Sequence, residues 1–194
     1  FDVAMEPLSW GTVHPDVISV QAMLKDGGFL VKDINMKAYM AARSMTQSFI
    51  DDFLGYWIDP RNRYLNSLLV GCGLPGGMMG SLMADLKGAH ALINMNYKNQ
   101  GKAPLSEDEL LVELFDEVQK IWPQLGNPPL VTPFSQYVKN IALKNLIGRS
   151  MGKPDFSDMD DAMWGMILGK SGTLPGTLAP EILALAKEQK REFF

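Results

Sequence analysis

Apolar residues at helical spacing, separated by Pro and Gly, most constrain the fold of this 194-residue chain. Between residues 36 and 58 they recur every three or four positions, as in an amphipathic helix. Ser106 and Glu109 have the spacing of a capping box and predict a helix that reaches Pro123. Further helices are predicted at about 16–26, 78–97, 134–146, 158–168 and 180–193. The chain is therefore predicted to be mostly α.

Composition excludes several classes of protein. Hydrophobic residues make up 46% and charged residues 21%, which is enough apolar content for a core. The net charge of −4 argues against a nucleic-acid partner, since phosphate binding needs clustered Lys and Arg. The single cysteine, Cys72, cannot form an internal disulfide and fits a reducing, cytoplasmic location. No apolar run approaches the ~20 residues of a membrane span.

One strand is predicted, at Phe1–Met5, where the sequence is FDVAM. A strand cannot satisfy its hydrogen bonds without a neighbour, and no second strand is evident nearby. We therefore expect this chain to be the C-terminal fragment of a longer protein.

A glycine cluster, GCGLPGGMMG, occupies residues 71–80 and suggests a phosphate-binding loop. However, a P-loop needs Lys-Ser or Lys-Thr after its last glycine, and here two methionines follow. The cluster also matches the letters of a dinucleotide fingerprint, but Pro75 would remove an N–H from the cradle. Nucleotide binding remains the weakest of three alternatives.

Metal and thiol chemistry have little support within this chain. His14 and His90 are isolated from each other, and Cys72 paired with His14 lacks an orienting third group. The acidic residues of 158–161 are typical of a helix N-terminus, and the acidic run 106–117 is typical of a solvated helix face. No metal ligand is predicted.

Thr12 follows the predicted strand, at the entry to the first helix. A threonine hydroxyl can donate and accept a hydrogen bond together, so it can relay a proton. Spacing alone favours a simple helix cap at this position.

Three segments in order resemble biotin-dependent carboxyltransferase domains. The first is DVAMEPLSWGTVHPDVISVQAML, in which Ser9, Thr12 and Pro15 keep the family spacing. The second is LPGGMMGSL at 74–82, similar to a Pro-Gly-Gly-Met element. The third is LGNPPLVTPFSQYV at 125–138. The resemblance covers nearly the whole chain, and the family includes pyruvate carboxylase, its separate B subunit, the oxaloacetate decarboxylase alpha subunit and transcarboxylase.

This resemblance implies that residues 1–60 are the last strand and helices of an α/β (TIM-type) barrel. Residues 61–194 would then form the α-helical, funnel-like C-terminal domain that biotin enters. Pro75, Gly76, Gly77 and Gln136 would lie on the approach of biotin and its carrier. Gln136 favours the decarboxylase and transcarboxylase branch or the separate B subunit, because single-chain pyruvate carboxylases usually have lysine there.

The implied reaction moves CO2 between carboxybiotin and pyruvate or oxaloacetate, as in the family's ligases and lyases. Thr12 would pass the proton between the methyl carbon and the biotin nitrogen. The divalent metal's ligands and a substrate-binding arginine are expected upstream, so this polypeptide alone is expected to be inactive. Implied partners are a biotin carboxyl carrier domain or subunit, a second copy in a homodimer, and membrane decarboxylase subunits. The location would be cytoplasmic or peripheral to a membrane complex.

The chain departs from the family at Gly80 and Ser81, where Ser or Thr and then Asn are usual, and at Tyr137, Val138 and Lys139. These departures leave open the acceptor, the direction of the reaction and the contacts with the carrier. A non-catalytic helical interaction module, with Met-rich helices that bind partner helices, remains the alternative.

Overall fold

The structure is a computed structural model that describes residues 1–9, 13–57 and 73–194. The chain forms two compact units, Phe1–Asn66 and Ser67–Phe194, which we call unit 1 and unit 2. The domain division predicted at residues 60 and 61 lies outside the described residues.

The described residues of unit 1 form two α-helices, α1 at Val17–Asp26 and α2 at Met36–Phe49. Helix α2 continues as a π-helical turn over Ile50–Leu54. The Asp16 carboxylate caps α1, and the Asn35 side chain caps α2. Both residue types accept hydrogen bonds from the first free amides of a helix, which explains why the helices begin there.

The predicted strand Phe1–Met5 is reduced to one isolated parallel bridge between Ala4 and Asp16. The Ala4 amide donates to the Pro15 carbonyl oxygen at 2.9 Å, and the Val17 amide donates to the Ala4 carbonyl oxygen at 3.0 Å. No strand forms within the described part of the chain. The prediction of a strand was wrong because its apolar residues have no neighbouring strand with which to extend the ladder.

Apolar side chains of unit 1 are largely exposed. Among its described hydrophobic residues only Tyr39 and Ile50 are buried. Large exposed side chains follow α2 and its π-helical extension: Met36, Met40, Met45, Phe49, Phe53, Tyr56 and Trp57. Met36 and Met45 are nine residues apart and so lie on opposite sides of the helix; the whole exposed set is named the α2 apolar face.

Unit 2 is helical, as predicted. A 3₁₀ turn at Gly76–Met78 leads into five helices. These are α3 at Met79–Asn99, α4 at Glu107–Gln124, α5 at Phe134–Ser150, α6 at Asp161–Ile167 and α7 at Pro180–Glu188. The predicted capping box of Ser106 and Glu109 is present at α4. Helix α6 begins later than predicted because the Asp160 side chain accepts the hydrogen bond from the Met163 amide.

The core of unit 2 lies where α3, α4 and α5 pack against one another, with α6 against α5. Val118 and Ile121 of α4 and Ile141 of α5 are almost completely buried there. The apolar positions of α4 recur on one face, so packing of that face stabilises the helix more than intrinsic propensity does.

A pair of glycines joins the end of α4 to the loop before α7. The Gly176 amide donates to the Gly126 carbonyl oxygen, and the Ala179 amide donates to that of Gln124, both at 2.8 Å. A Cβ added at Gly126, where φ is +80°, would lie 2.9 Å from the Gly176 oxygen. The third sequence segment therefore begins at a close backbone contact that excludes larger residues.

Among the helices of the described residues, none is both long and apolar enough to cross a bilayer.

Candidate functional site

Asp16 is the centre of a hydrogen-bond network in unit 1. Its Oδ1 accepts from the Ile18 amide at 2.8 Å. Its Oδ2 accepts from the Tyr39 hydroxyl at 2.6 Å, the Glu6 amide at 3.0 Å and the Ser9 hydroxyl at 3.4 Å. One carboxylate therefore connects the N-terminal segment, the start of α1 and a buried side chain of α2.

These contacts shift two pKa values in opposite directions. Partial burial raises the pKa of Asp16, but the hydrogen bonds from Tyr39, Ile18, Glu6 and Ser9 outweigh it and leave this pKa below its usual value. Burial and the Asp16 carboxylate raise the pKa of Tyr39. Tyr39 is therefore held as a donor and Asp16 as an acceptor at neutral pH.

A depression of about 310 Å³ lies over this network. Glu6, Ser9, Asp16, Ser19 and Tyr39 line it together with Ile18. The Arg43 Nε donates to the Glu6 carboxylate at 2.6 Å. Thr12, the predicted catalytic residue, lies outside the described residues, but Ser9 and Asp16 on either side of it belong to the network.

The second and third sequence segments meet in unit 2. A Cβ added at Gly73, where φ is +72°, would lie 3.3 Å from Cδ1 of Leu130. Leu74 and Met78 from the second segment and Val138 from the third belong to one core cluster. The stretches that lead into α3 and α5 are therefore in contact.

Pro75, Gly76 and Gly77 form the turn before α3. The Met78 amide donates to the Pro75 carbonyl oxygen at 3.0 Å. Pro75 and Gly76 are half-buried, and Gly77 is exposed. A Cβ added at Gly77 would meet nothing within 4 Å, so packing inside the chain does not require glycine at this position.

Gln136 is half-buried in the first turn of α5. One turn later Lys139 is only 2% exposed, and its ammonium group pairs with the Asp85 carboxylate of α3. The lysine is the buried partner, whereas the Asp85 side chain is 48% exposed. The pair ties α5 to α3, because separating the two groups would leave the lysine charge buried alone. Ser135, between Pro133 and Gln136, has a buried hydroxyl without a hydrogen-bond partner among the described residues.

Glu117 corrects the prediction that the acidic run 106–117 is wholly solvated. It is buried, and its Oε1 accepts from Asn145 at 2.9 Å and from Arg149 at 2.6 Å. Arg149 also donates to both carboxylate oxygens of Asp155, at 2.7 and 2.6 Å. These contacts hold the pKa of Asp155 below its usual value and raise that of Arg149. The cluster joins α4 to α5 and the loop after it, which is a structural role.

No group of three or more His, Cys, Asp or Glu side chains within the described ranges could hold a metal ion. His14 is exposed. His90 donates from Nε2 to the Leu105 carbonyl oxygen at 2.7 Å and so fastens the loop before α4. Cys72 lies outside the described residues.

Comparison with known proteins identifies relatives over most of the chain. It is 28% identical over 193 residues to the 2-oxoglutarate carboxylase large subunit of Hydrogenobacter thermophilus, covering 96% of this chain and 26% of that protein. It is 30% identical over 151 residues to the pyruvate carboxylase B subunit of Methanothermobacter thermautotrophicus, covering 75% of this chain and 22% of the relative. It is 25% identical over 188 residues to the methylmalonyl-CoA carboxyltransferase 5S subunit of Propionibacterium freudenreichii, covering 97% of this chain and 32% of that subunit. No protein-family model matches the chain.

These relatives confirm the resemblance found in the three sequence segments. The chain is similar over most of its length to carboxylase and carboxyltransferase subunits. Within that class it is similar to the B subunit of pyruvate carboxylase, to the 2-oxoglutarate carboxylase large subunit and to the transcarboxylase 5S subunit. It spans between about a fifth and a third of the length of these proteins.

Sequence reasoning missed the contacts of Asp16 and Tyr39, which are 23 positions apart. It also missed the burial of Lys139 and Glu117. Each is a polar residue whose partner is on another helix, and helical periodicity alone carries no signal for such pairs. For the burial of Lys139, the one available signal was its position directly after the apolar Val138, which is itself buried.

Proposed function

We propose that this chain is the C-terminal part of a biotin-dependent carboxyltransferase that moves CO2 between carboxybiotin and pyruvate or oxaloacetate. The observation that carries the proposal is the similarity, over most of the chain, to carboxylase and carboxyltransferase subunits several times longer. Without the remaining sequence the chain is proposed to be inactive, and a homodimer or membrane subunits are proposed only as further partners. The single cysteine supports a cytoplasmic location.

Unit 1 is proposed to be the end of an α/β barrel. Its α2 apolar face is exposed, and Ala4 makes only an isolated bridge. Both features are expected of a barrel segment considered without the strands and helices that would cover it. The same apolar face also suits the alternative of a helical interaction module. The two proposals differ in whether this face is covered by the rest of a carboxylase subunit.

Unit 2 is proposed to form the funnel through which biotin approaches. Gly77 is exposed, and packing within the chain does not require glycine there. Because it has no side chain, a planar group can approach its backbone closely. Pro75 and Gly76 shape the same turn, and Gln136 offers an amide that can donate and accept hydrogen bonds. These residues would hold biotin, which would supply or receive CO2 when bound. The described residues do not fit the implied metal, so none of them is assigned a step that involves one.

Thr12 is proposed as the proton carrier. Its hydroxyl would accept a proton from one reacting group and donate its own to the other, so its position matters more than its free pKa. The role rests on the family spacing of Ser9, Thr12 and Pro15.

The test is Thr12→Ala in the complete enzyme, with CO2 exchange between oxaloacetate and biotin as the measurement. We expect exchange to be abolished, and Thr12→Ser to retain part of it. Thr46→Ala is the matched control, because Thr46 lies on α2 and donates only within its helix, to the Ala42 carbonyl oxygen at 2.9 Å. Exchange at the wild-type rate in Thr12→Ala would remove the proposed role.

A further inference from the structure

A cavity of about 370 Å³ is lined by three helices of unit 2, all within the described residues. Its apolar lining consists of Ile93 and Tyr97 of α3 and Leu146 of α5. Its polar lining comes from α4 and the end of α5: Glu113, Asp116, Glu117, Lys120 and Arg149. This volume, and an apolar lining with a few polar groups, are typical of a site for a small organic molecule.

The acidic residues of this lining are close together on α4. Residues three or four apart lie on one face of a helix, so Glu113 is a neighbour of both Asp116 and Glu117. Like charges at this spacing destabilise a helix. The stability of α4 therefore does not account for three carboxylates beside one cavity.

The two cations of the lining already have carboxylate partners. Arg149 donates to Oε1 of Glu117 and to both carboxylate oxygens of Asp155. The Lys120 Nζ lies 3.3 Å from Oδ2 of Asp155. An anionic ligand would have to compete with these ion pairs, whereas a cationic ligand would not.

The carboxylates, by contrast, keep free acceptor atoms. Glu113 and Asp116 are exposed and form no ion pair with another described residue. Oε2 of Glu117 accepts no hydrogen bond from the described residues, and the Lys120 Nζ lies 3.7 Å from it. The Glu117 side chain is only 3% exposed. A buried acceptor without a partner is costly, so a donor placed in the cavity would stabilise it.

A metal ion does not fit these groups, because no three His, Cys, Asp or Glu side chains among the described residues could hold one. An ammonium group fits them, because it carries a positive charge and three N–H donors. A hydrocarbon stem behind it would pack against Ile93 and Leu146, which are both buried. The Lys102 ammonium already lies over the Tyr97 ring, 5.3 Å from its centre, so the charge of the ligand is assigned to the carboxylates.

We propose that this cavity binds a small aliphatic amine. Its ammonium group donates to Oε2 of Glu117 and is neutralised by Glu113 and Asp116, and its hydrocarbon stem packs on the apolar lining. The cavity is built from residues 93–149 alone, so the inference does not rest on the proposed function.

A titration of the 194-residue chain with n-pentylamine, followed by NMR of the backbone amides, tests the proposal. At neutral pH we expect saturable binding with a Kd below about 10 mM. The neutral 1-pentanol has the same stem and should bind at least about tenfold more weakly, because it makes no charge-assisted hydrogen bond. The amides that shift should be those of α3, α4 and α5 around the cavity.

Glu113→Gln combined with Asp116→Asn removes two charges from the cavity and keeps the size of both side chains. We expect this double variant to bind n-pentylamine at least about tenfold more weakly. Its melting temperature should not fall, because both positions are exposed. Glu107→Gln combined with Asp108→Asn is the matched control. It removes the same charges from exposed positions of α4 that do not line the cavity, and should weaken binding by less than about twofold at physiological salt.

Glu117→Gln turns the Oε2 acceptor into a donor and should weaken binding at least as much as the double variant at Glu113 and Asp116. Circular dichroism checks that this variant is folded. Three results would overturn the inference: no saturable binding to the wild type, equal affinity for the amine and the alcohol, or equal weakening in the two double variants. Amide shifts confined to helices that do not line the cavity would overturn it as well.

Discussion

Unit 2 buries a continuous apolar core, whereas the described part of unit 1 buries almost none of its apolar residues. In unit 2 the core cluster extends from Leu74 to Ala186 and includes residues from all five helices. In unit 1, Tyr39 and Ile50 are the buried hydrophobic residues among those described. Since apolar burial is the main favourable term in folding, unit 2 should be stable by itself, whereas unit 1 should depend on sequence beyond this chain.

The largest expected change in the free energy of unfolding comes from making a cavity in the core of unit 2. Leu114 is 1% exposed, and Leu114→Ala should lower the free energy of unfolding by about 3 kcal/mol. Urea unfolding followed by circular dichroism measures the change. Leu183→Ala removes the same atoms from an exposed position of α7 and should cost much less. Equal costs for the two would mean that the core is not packed as described.

The next largest change in the free energy of unfolding concerns the buried polar contacts of Glu117 and Asn145. Asn145 donates to Glu117 and accepts from the Phe156 amide at 2.8 Å. Asn145→Ala leaves both groups without this partner and should cost about 2 kcal/mol in the same measurement. Asn99→Ala, at the exposed end of α3, should be close to neutral. A neutral Asn145→Ala would show that water satisfies these groups and that the cluster contributes little.

Asp155 should make the stability of unit 2 depend on pH. Arg149 holds the pKa of Asp155 below its unfolded value, so this stabilisation is present above about pH 4. It is lost as the pH falls toward the folded-state pKa, because the unfolded chain takes up the proton first. In Asp155→Asn the decline in stability between about pH 5 and pH 3 should be shallower than in the wild type. The exposed Asp158→Asn is the control, and an unchanged slope in Asp155→Asn would contradict the assigned ion pair.

The smallest effect is expected in unit 1. Phe53 is 63% exposed, and Phe53→Ala in this chain should change stability by no more than about 0.5 kcal/mol. In the longer protein of which this chain is proposed to be a part, the same substitution should destabilise strongly, if the rest of that protein covers the α2 apolar face. A negligible effect in both settings would favour a free surface and the interaction-module alternative.

Much of unit 2 could be predicted from the sequence, because its signals are local. Ser106 and Glu109 are three residues apart, and their capping box forms as predicted. By contrast, the strand at Phe1–Met5 required a partner that no local pattern can supply, and only the bridge at Ala4 forms. For the candidate site, the three segments identified the family, but the link between Asp16 and Tyr39 depends on how α2 packs.

Hydrogen exchange of the chain alone and of the proposed longer protein tests the difference between the two units most directly. In the chain alone, amides in the middle of α4 and α5 should be strongly protected, whereas those of α1 and α2 should exchange nearly as fast as unfolded peptide. In the proposed longer protein, α1 and α2 should gain protection comparable to that of α4. Equal protection of α2 and α4 in the chain alone, or no gain for α1 and α2 in the proposed longer protein, would contradict the account.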